Sequence, residues 1–186
     1  MSAKNSTIDN PPVAANAAAQ PGEPFPGCLD HPAAGREHEW LQRFVGEWEA
    51  EIEACLVPGQ PALKSTGVEH ARMLGGFWLV SEGRNTAFPF SFVFTLGFDP
   101  RKSRYVATWV DTMSSHLWTY EGEVDKSGEI LTLETEGPAP MAQGKHVRFR
   151  ETTRFTGADR RVFTSSIRGE DGTWSTMLTV NSWRKK

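Results

Sequence analysis

Cysteine is nearly absent from the chain. The 186 residues hold two, Cys28 and Cys55, too few for the disulfide framework that staples small secreted domains. Long apolar runs are missing as well: no segment approaches the ~18 consecutive apolar residues of a membrane-spanning helix, so a membrane is not an expected partner. The first residues lack the charged start and apolar stretch of a secretory signal, and the cytoplasm is the expected location. There is no basic excess either. Lys+Arg 20 against Asp+Glu 23 leaves a net charge of −3 and a pI near 6.0, whereas nucleic-acid-binding domains are usually strongly basic. Nucleic acid is therefore not expected as a partner. Tyrosine is scarce at two, but seven Trp and eleven Phe bring aromatics to 11%, so the core will be unusually aromatic. The length suits one domain with a modest tail.

The composition shifts near residue 28. Pro11, Pro12, Pro21, Pro24 and Pro26 fall among Ala and Asn, with Phe25 as the one aromatic. Such a segment cannot bury enough apolar surface to offset its ordering entropy. Residues 1–28 are expected to form a flexible Pro/Ala-rich arm, and 29–186 a single β-barrel domain. Asp30-His31-Pro32 reads as a helix start, with a polar cap and Pro at the first helical position. Ala33 to Phe44 should follow as one short helix, with Trp40, Leu41 and Phe44 as its apolar stripe.

From Gly46 the period changes to two. Trp48, Ala50, Ile52 and Ala54 alternate with Glu47, Glu49, Glu51 and Glu53, the pattern of a strand with one buried face. Nine more strands are predicted at Val68–Leu74, Phe77–Arg84, Phe90–Phe98, Arg104–Asp111, Ser115–Val124, Ile130–Glu136, Lys145–Phe155, Arg161–Arg168 and Trp174–Trp183. Turn residues separate them, as at Gly75-Gly76, Asp99-Pro100 and Asp171-Gly172. An up-and-down antiparallel meander of about ten strands must close or leave two long bare edges. The predicted fold is all-β: a closed antiparallel barrel of about ten strands, with the short N-terminal helix plugging one end.

Parity assigns the inward face. Phe90, Phe92, Phe94, Leu96 and Phe98 share one face of their strand. If Thr112-Met113 is a two-residue hairpin tip, Asp111 lies opposite Ser114, Trp109 opposite His116, Ala107 opposite Trp118 and Tyr105 opposite Tyr120. One wall then carries Tyr105, Trp109, Asp111, His116, Trp118 and Tyr120. Barrels of this size enclose either packed side chains or one small ligand, and a mostly apolar lining with a few polar tips suits a ligand. Glu82 and Arg84 share a parity with Trp78; if Trp78 points inward, Glu82 reaches the barrel mouth as a polar contact. Arg148, Arg150 and Arg154 are expected outside.

Gly46-Glu47-Trp48, opening the first strand after a short helix, resembles the G-x-W start of the lipocalin and calycin barrels. That resemblance implies a Trp closing the barrel floor under a basic residue near the last strand, either Arg184 or Lys185. A closer resemblance spans roughly residues 31–185. It rests on His31-Pro32, Leu41 to Glu49, Met73 to Gly83, Gly97 to Asp111, Met113-Ser114, Leu131 to Pro138 and Phe163 to Gly172. Together these resemble the bacterial family of domain of unknown function 1579. It implies a calycin-like barrel and carries over no catalytic residues.

The expected function is binding of a small apolar or amphipathic molecule in an aromatic-lined interior. Phe92, Phe94, Tyr105, Trp109, His116, Trp118 and Tyr120 would line it, with Glu82 at the mouth. Two alternatives stay open. One is an acid–base enzyme of the isomerase, hydratase or cyclase kind using His116 with Asp111; the other is a haem-binding barrel with His116 or His146 as its one ligand. No G-x-S-x-G elbow is present. His31, His38, His70, His116 and His146 show no metal-ligand spacing, so neither a metal nor a cofactor is expected. The sequence leaves a homodimer open.

Overall fold

The computed structural model describes residues 33–55, 60–139 and 145–186. The expected arm, the Asp30-His31-Pro32 helix start and residues 140–144 of the loop after Pro138 lie outside the described residues. A five-residue helix, α1 (Arg36–Trp40), continues as a 3-10 turn, Leu41–Phe44. The helix is thus shorter than the predicted Ala33–Phe44. It begins where the Gly35 carbonyl accepts the His38 and Glu39 amides at 3.0 and 3.1 Å, and the His38 ring folds back so that Nδ1 accepts the Gly35 N–H. Its end is tightened by Trp48, whose indole N–H reaches the Phe44 carbonyl at 2.7 Å.

Ten antiparallel strands follow: β1 (Gly46–Ala54), β2 (Leu63–Leu74), β3 (Trp78–Asn85), β4 (Ser91–Asp99), β5 (Arg104–Asp111), β6 (Trp118–Val124), β7 (Ile130–Pro138), β8 (His146–Gly157), β9 (Arg160–Arg168) and β10 (Trp174–Arg184). Each pairs with its sequence neighbours, and β1 pairs with β10, so the sheet closes with no free edge. Closure removes the exposed ladder groups an open meander would present. Outer faces carry cross-strand pairs such as Thr95–Thr108, Thr152–Thr164 and Arg150–Glu134. No helix among the described residues is long and apolar enough to cross a membrane.

The helical segment closes one end. Trp40 donates its indole N–H to the Gly128 carbonyl in the β6–β7 turn at 2.8 Å and packs edge-on against Tyr105 and Phe155. The Tyr105 hydroxyl donates to the Glu37 carbonyl at 3.1 Å. Trp48 forms the floor, 1% exposed. The guanidiniums of Arg161 and Arg184 both lie 4.3 Å from its ring centroid. Arg184 also donates to the carbonyls of Val45, Arg43 and Ala158 and to the Asp159 carboxylate. It therefore takes the basic part that the G-x-W resemblance left between Arg184 and Lys185. Gly46 is glycine for a physical reason. Its φ is +134°, and a Cβ there would sit 2.5 Å from an Arg184 nitrogen.

Candidate functional site

The inner face of the barrel is divided by depth. Toward the helix-plugged end, Leu79 and Leu96 are 0% exposed and Ala71, Leu131, Leu133, Ala107 and Phe155 are buried. Each such apolar side chain contributes about 1–3 kcal/mol by leaving water. Toward the other end, inward residues of the same strands keep accessible surface: Ile52, Phe92, Phe94, Trp109, Trp118, Phe163, Leu178 and Val180 are only partly buried. Ile52 pairs with Val180, and Val180 with Phe163, so this half-buried row runs across three adjacent strands. The accessible surface of these inward residues lies toward the open end of the barrel. The interior toward the helix is closely buried, and the half toward the mouth is only partly so.

The aromatic wall descends from the rim along the inner face of β4 and β5. Ring centroids step from Phe88 to Phe90 at 6.1 Å and from Phe90 to Phe92 at 6.2 Å. Phe92 stacks on Trp109 at 4.1 Å with the planes 14° apart, and Phe94 follows at 6.3 Å from Trp109. Stacked rings of this kind gain about 0.5–1.5 kcal/mol beyond their buried area. Phe92 lies across Gly83, and Trp118 across Gly137, where a Cβ would overlap each ring. Trp118 is held edge-on by Phe149 at 5.1 Å and His116 at 4.6 Å.

The register of β5 against β6 differs from the expected hairpin. Trp109 pairs with Trp118, Ala107 with Tyr120 and Tyr105 with Gly122, a shift of two residues that preserves every facing. The cause is Asp111. Its Oδ1 accepts the Met113 and Ser114 amides at 2.8 and 3.0 Å, while Oδ2 accepts the Trp109 indole N–H at 2.9 Å. This Asx-type turn lengthens the connection beyond two residues. It also occupies both oxygens of the carboxylate. His116 instead donates its backbone N–H to the Ser114 hydroxyl and has its ring 6.5 Å from that of His146 at the rim. The alternative acid–base pair of His116 and Asp111 is not hydrogen-bonded here, since turn amides and the indole hold the carboxylate.

Glu82 requires a correction too. Trp78 points outward, 42% exposed, and its ring lies over Gly97 on the outer face. Glu82 and Arg84 share that parity and are exposed. They border an open groove of about 570 Å³ with His70, Val93 and Val110. Tyr105 belongs to the floor, and burial together with Glu37 pushes its hydroxyl up to about 12. Phe92, Phe94, Trp109 and Trp118 lie side by side on the inner face of β4–β6, His116 stands in the β5–β6 connection beside Trp118, and Tyr120 is buried. Among the described residues no His, Cys, Asp and Glu cluster could hold a metal ion.

Two inward carboxylates were missed by the sequence reading. Glu69 on β2 accepts the Ser81 hydroxyl at 2.6 Å and the Arg161 guanidinium at 2.5 Å. Glu151 on β8 faces Tyr120, whose hydroxyl donates at 3.5 Å, and Ser165 supplies a second hydroxyl. Burial pushes the Glu151 carboxyl up to about 7, against the two hydroxyls that hold it down. Burial and the neighbouring Glu151 raise the Tyr120 hydroxyl above its ordinary value. The parity signal was present: Glu151 alternates in phase with Val147 and Phe149, and Glu69 with Gly67 and Ala71. Arg148, Arg150 and Arg154 do face outward from β8.

The sequence model of the family described as "Protein of unknown function (DUF1579)" matches residues 33–184. No curated protein matches the chain. Among solved structures, Rv2717c from M. tuberculosis is similar over 83% of this chain and 100% of its own, with 16% identity and a TM-score of 0.57. The S-type phycobiliprotein lyase CPES from Guillardia theta is similar over 80% of this chain and 92% of its own, with 14% identity and a TM-score of 0.47. At such identities the likeness concerns the barrel fold alone. The chain belongs to the DUF1579 family.

Proposed function

We propose that this DUF1579 barrel binds one small, mostly apolar molecule in the half of its interior toward the mouth. The observation that carries the reading is the contrast in depth. The inward side chains Phe92, Phe94, Trp109, Trp118 and Val180 are only partly buried, while most of those toward the floor, such as Leu79, Leu96 and Leu131, are 0–1% exposed. A preformed concave site with an apolar lining and a few placed polar groups is the usual design of a small-molecule pocket. The rim and wall aromatics Phe88, Phe90, Phe92 and Trp109 give a continuous apolar path into it.

The test is a fluorescence titration with N-phenyl-1-naphthylamine, a neutral apolar probe, on wild type, Trp109→Ala and Trp78→Ala. Saturable binding is expected in wild type. Trp109→Ala should weaken it by about tenfold, which is ~1.4 kcal/mol, and Trp78→Ala should leave it unchanged because Trp78 lies on the outer face. Absence of saturable binding, or equal weakening in both variants, contradicts the reading.

A further inference from the structure

The charges that face the barrel axis do not balance. Above the Trp48 floor, the inward-facing charged side chains of the described strands are Glu69, Asp111, Glu151 and Arg161, three carboxylates to one guanidinium. The guanidinium is committed: it donates to Glu69 and lies against Trp48 and Phe44. Asp111 is satisfied at the mouth by two backbone amides and the Trp109 indole. Glu151 has neutral partners only, the hydroxyls of Tyr120 and Ser165. Arg161 is four residues along β9 from Ser165, about 13 Å at the usual rise per residue, so it does not serve Glu151.

A carboxylate in a low-dielectric interior is stabilised by a cation within a few ångströms. Here no such cation comes from the described chain. The surrounding lining is aromatic, and Trp and Tyr faces attract cations as well. We infer that the proposed binding space selects an amphipathic amine, with its apolar body along the Phe92–Trp109–Phe94 wall and its ammonium N–H donated to Glu151. This deepens the binding proposed above and rests on it. The elevated affinity of Glu151 for a proton has the same origin, since a proton is the smallest cation that neutralises it. Ammonium and proton therefore compete. Tyr120 is the titratable group facing Glu151 from β6; Ser165 faces it from β9, and Leu133 pairs with it from β7.

The experiment displaces N-phenyl-1-naphthylamine with decylammonium, decanol and decanoate at pH 8 and pH 5.5, on wild type and Glu151→Gln. At pH 8 decylammonium should compete at least about tenfold better than decanol, and decanoate worse than decanol, since mispairing a buried charge costs more than a neutral contact. The ammonium preference should shrink at pH 5.5, where Glu151 is protonated, and collapse in Glu151→Gln. Equal or better competition by decanoate, or a preference that survives Glu151→Gln, overturns the amine assignment while leaving the apolar cavity standing. Failure of the naphthylamine itself to bind overturns both. Circular dichroism of Glu151→Gln confirms that a lost preference is read on a folded barrel.

Discussion

The Tyr120 hydroxyl points at the Glu151 carboxylate across 3.5 Å, from opposite sides of β7, with the phenol itself buried. The pair couples the aromatic wall to the polar side of the interior. Its two members are the most perturbed titratable groups of the described barrel, both shifted upward chiefly by burial.

Glu151 makes stability depend on pH. Its folded-state carboxyl is raised to about 7, above the ordinary ~4.3 of an unfolded Glu. The folded state therefore binds the proton more tightly, and stability is lost as pH rises from about 4.5 through 7. The expected cost at pH 8 is on the order of 3 kcal/mol, at ~1.4 kcal/mol per pKa unit. Glu151→Gln should unfold at higher urea than wild type at pH 8, and the gap should close toward pH 4.5. Equal midpoints at pH 8 would show that the carboxylate is not desolvated.

Arg161 is 6% exposed and Glu69 21%, with 2.5 Å between them. Breaking a buried pair strands the remaining charge, which typically costs about 3–5 kcal/mol. Arg161→Met should therefore destabilise strongly. The double variant with Glu69→Gln should lose less than the sum of the two single changes, a coupling that urea melts in a double-mutant cycle measure directly. Additive losses would mean that the two groups do not interact.

Gly46→Ala tests the floor. A side chain there meets the Arg184 guanidinium at a φ of +134°, so a loss of roughly 2 kcal/mol or more is expected from strain and displaced packing. Tyr105→Phe removes one hydrogen bond to Glu37 and should cost about 1 kcal/mol without altering probe affinity. A large effect of Tyr105→Phe on binding would place the ligand in the floor instead.

Much of the fold was legible because strand parity repeats along the chain. Trp48, Ala50 and Ile52 against four glutamates, and Phe92, Phe94, Leu96 and Phe98 against Ser91, Val93, Thr95 and Gly97, force one face inward whatever the partner strand. The β5–β6 register was not legible, since it depends on Asp111 capturing two turn amides and the Trp109 indole. Trp78 misled for a different reason: a large aromatic reads as core, yet Gly97 opposite it offers a flat seat on the outside. Glu69 and Glu151 escaped notice because carboxylates normally mark solvent. Their partners, Arg161 and Tyr120, come from strands distant in sequence. Trp109, Phe92, Phe94 and Trp118 were readable as one wall, and the ligand space expected beside them is the one proposed above.

The central claim is that this space is empty enough to hold a ligand. Val180 lies in the half-buried row between Ile52 and Phe163. In a filled barrel, a bulkier residue there would cost about 1–3 kcal/mol by overpacking. The decisive measurement is a titration of N-phenyl-1-naphthylamine into Val180→Phe, with the urea midpoint read on the same samples. The predicted result is an unchanged midpoint with probe binding abolished. A collapsed midpoint would mean that the interior was already full, and undiminished binding would place the probe outside the barrel.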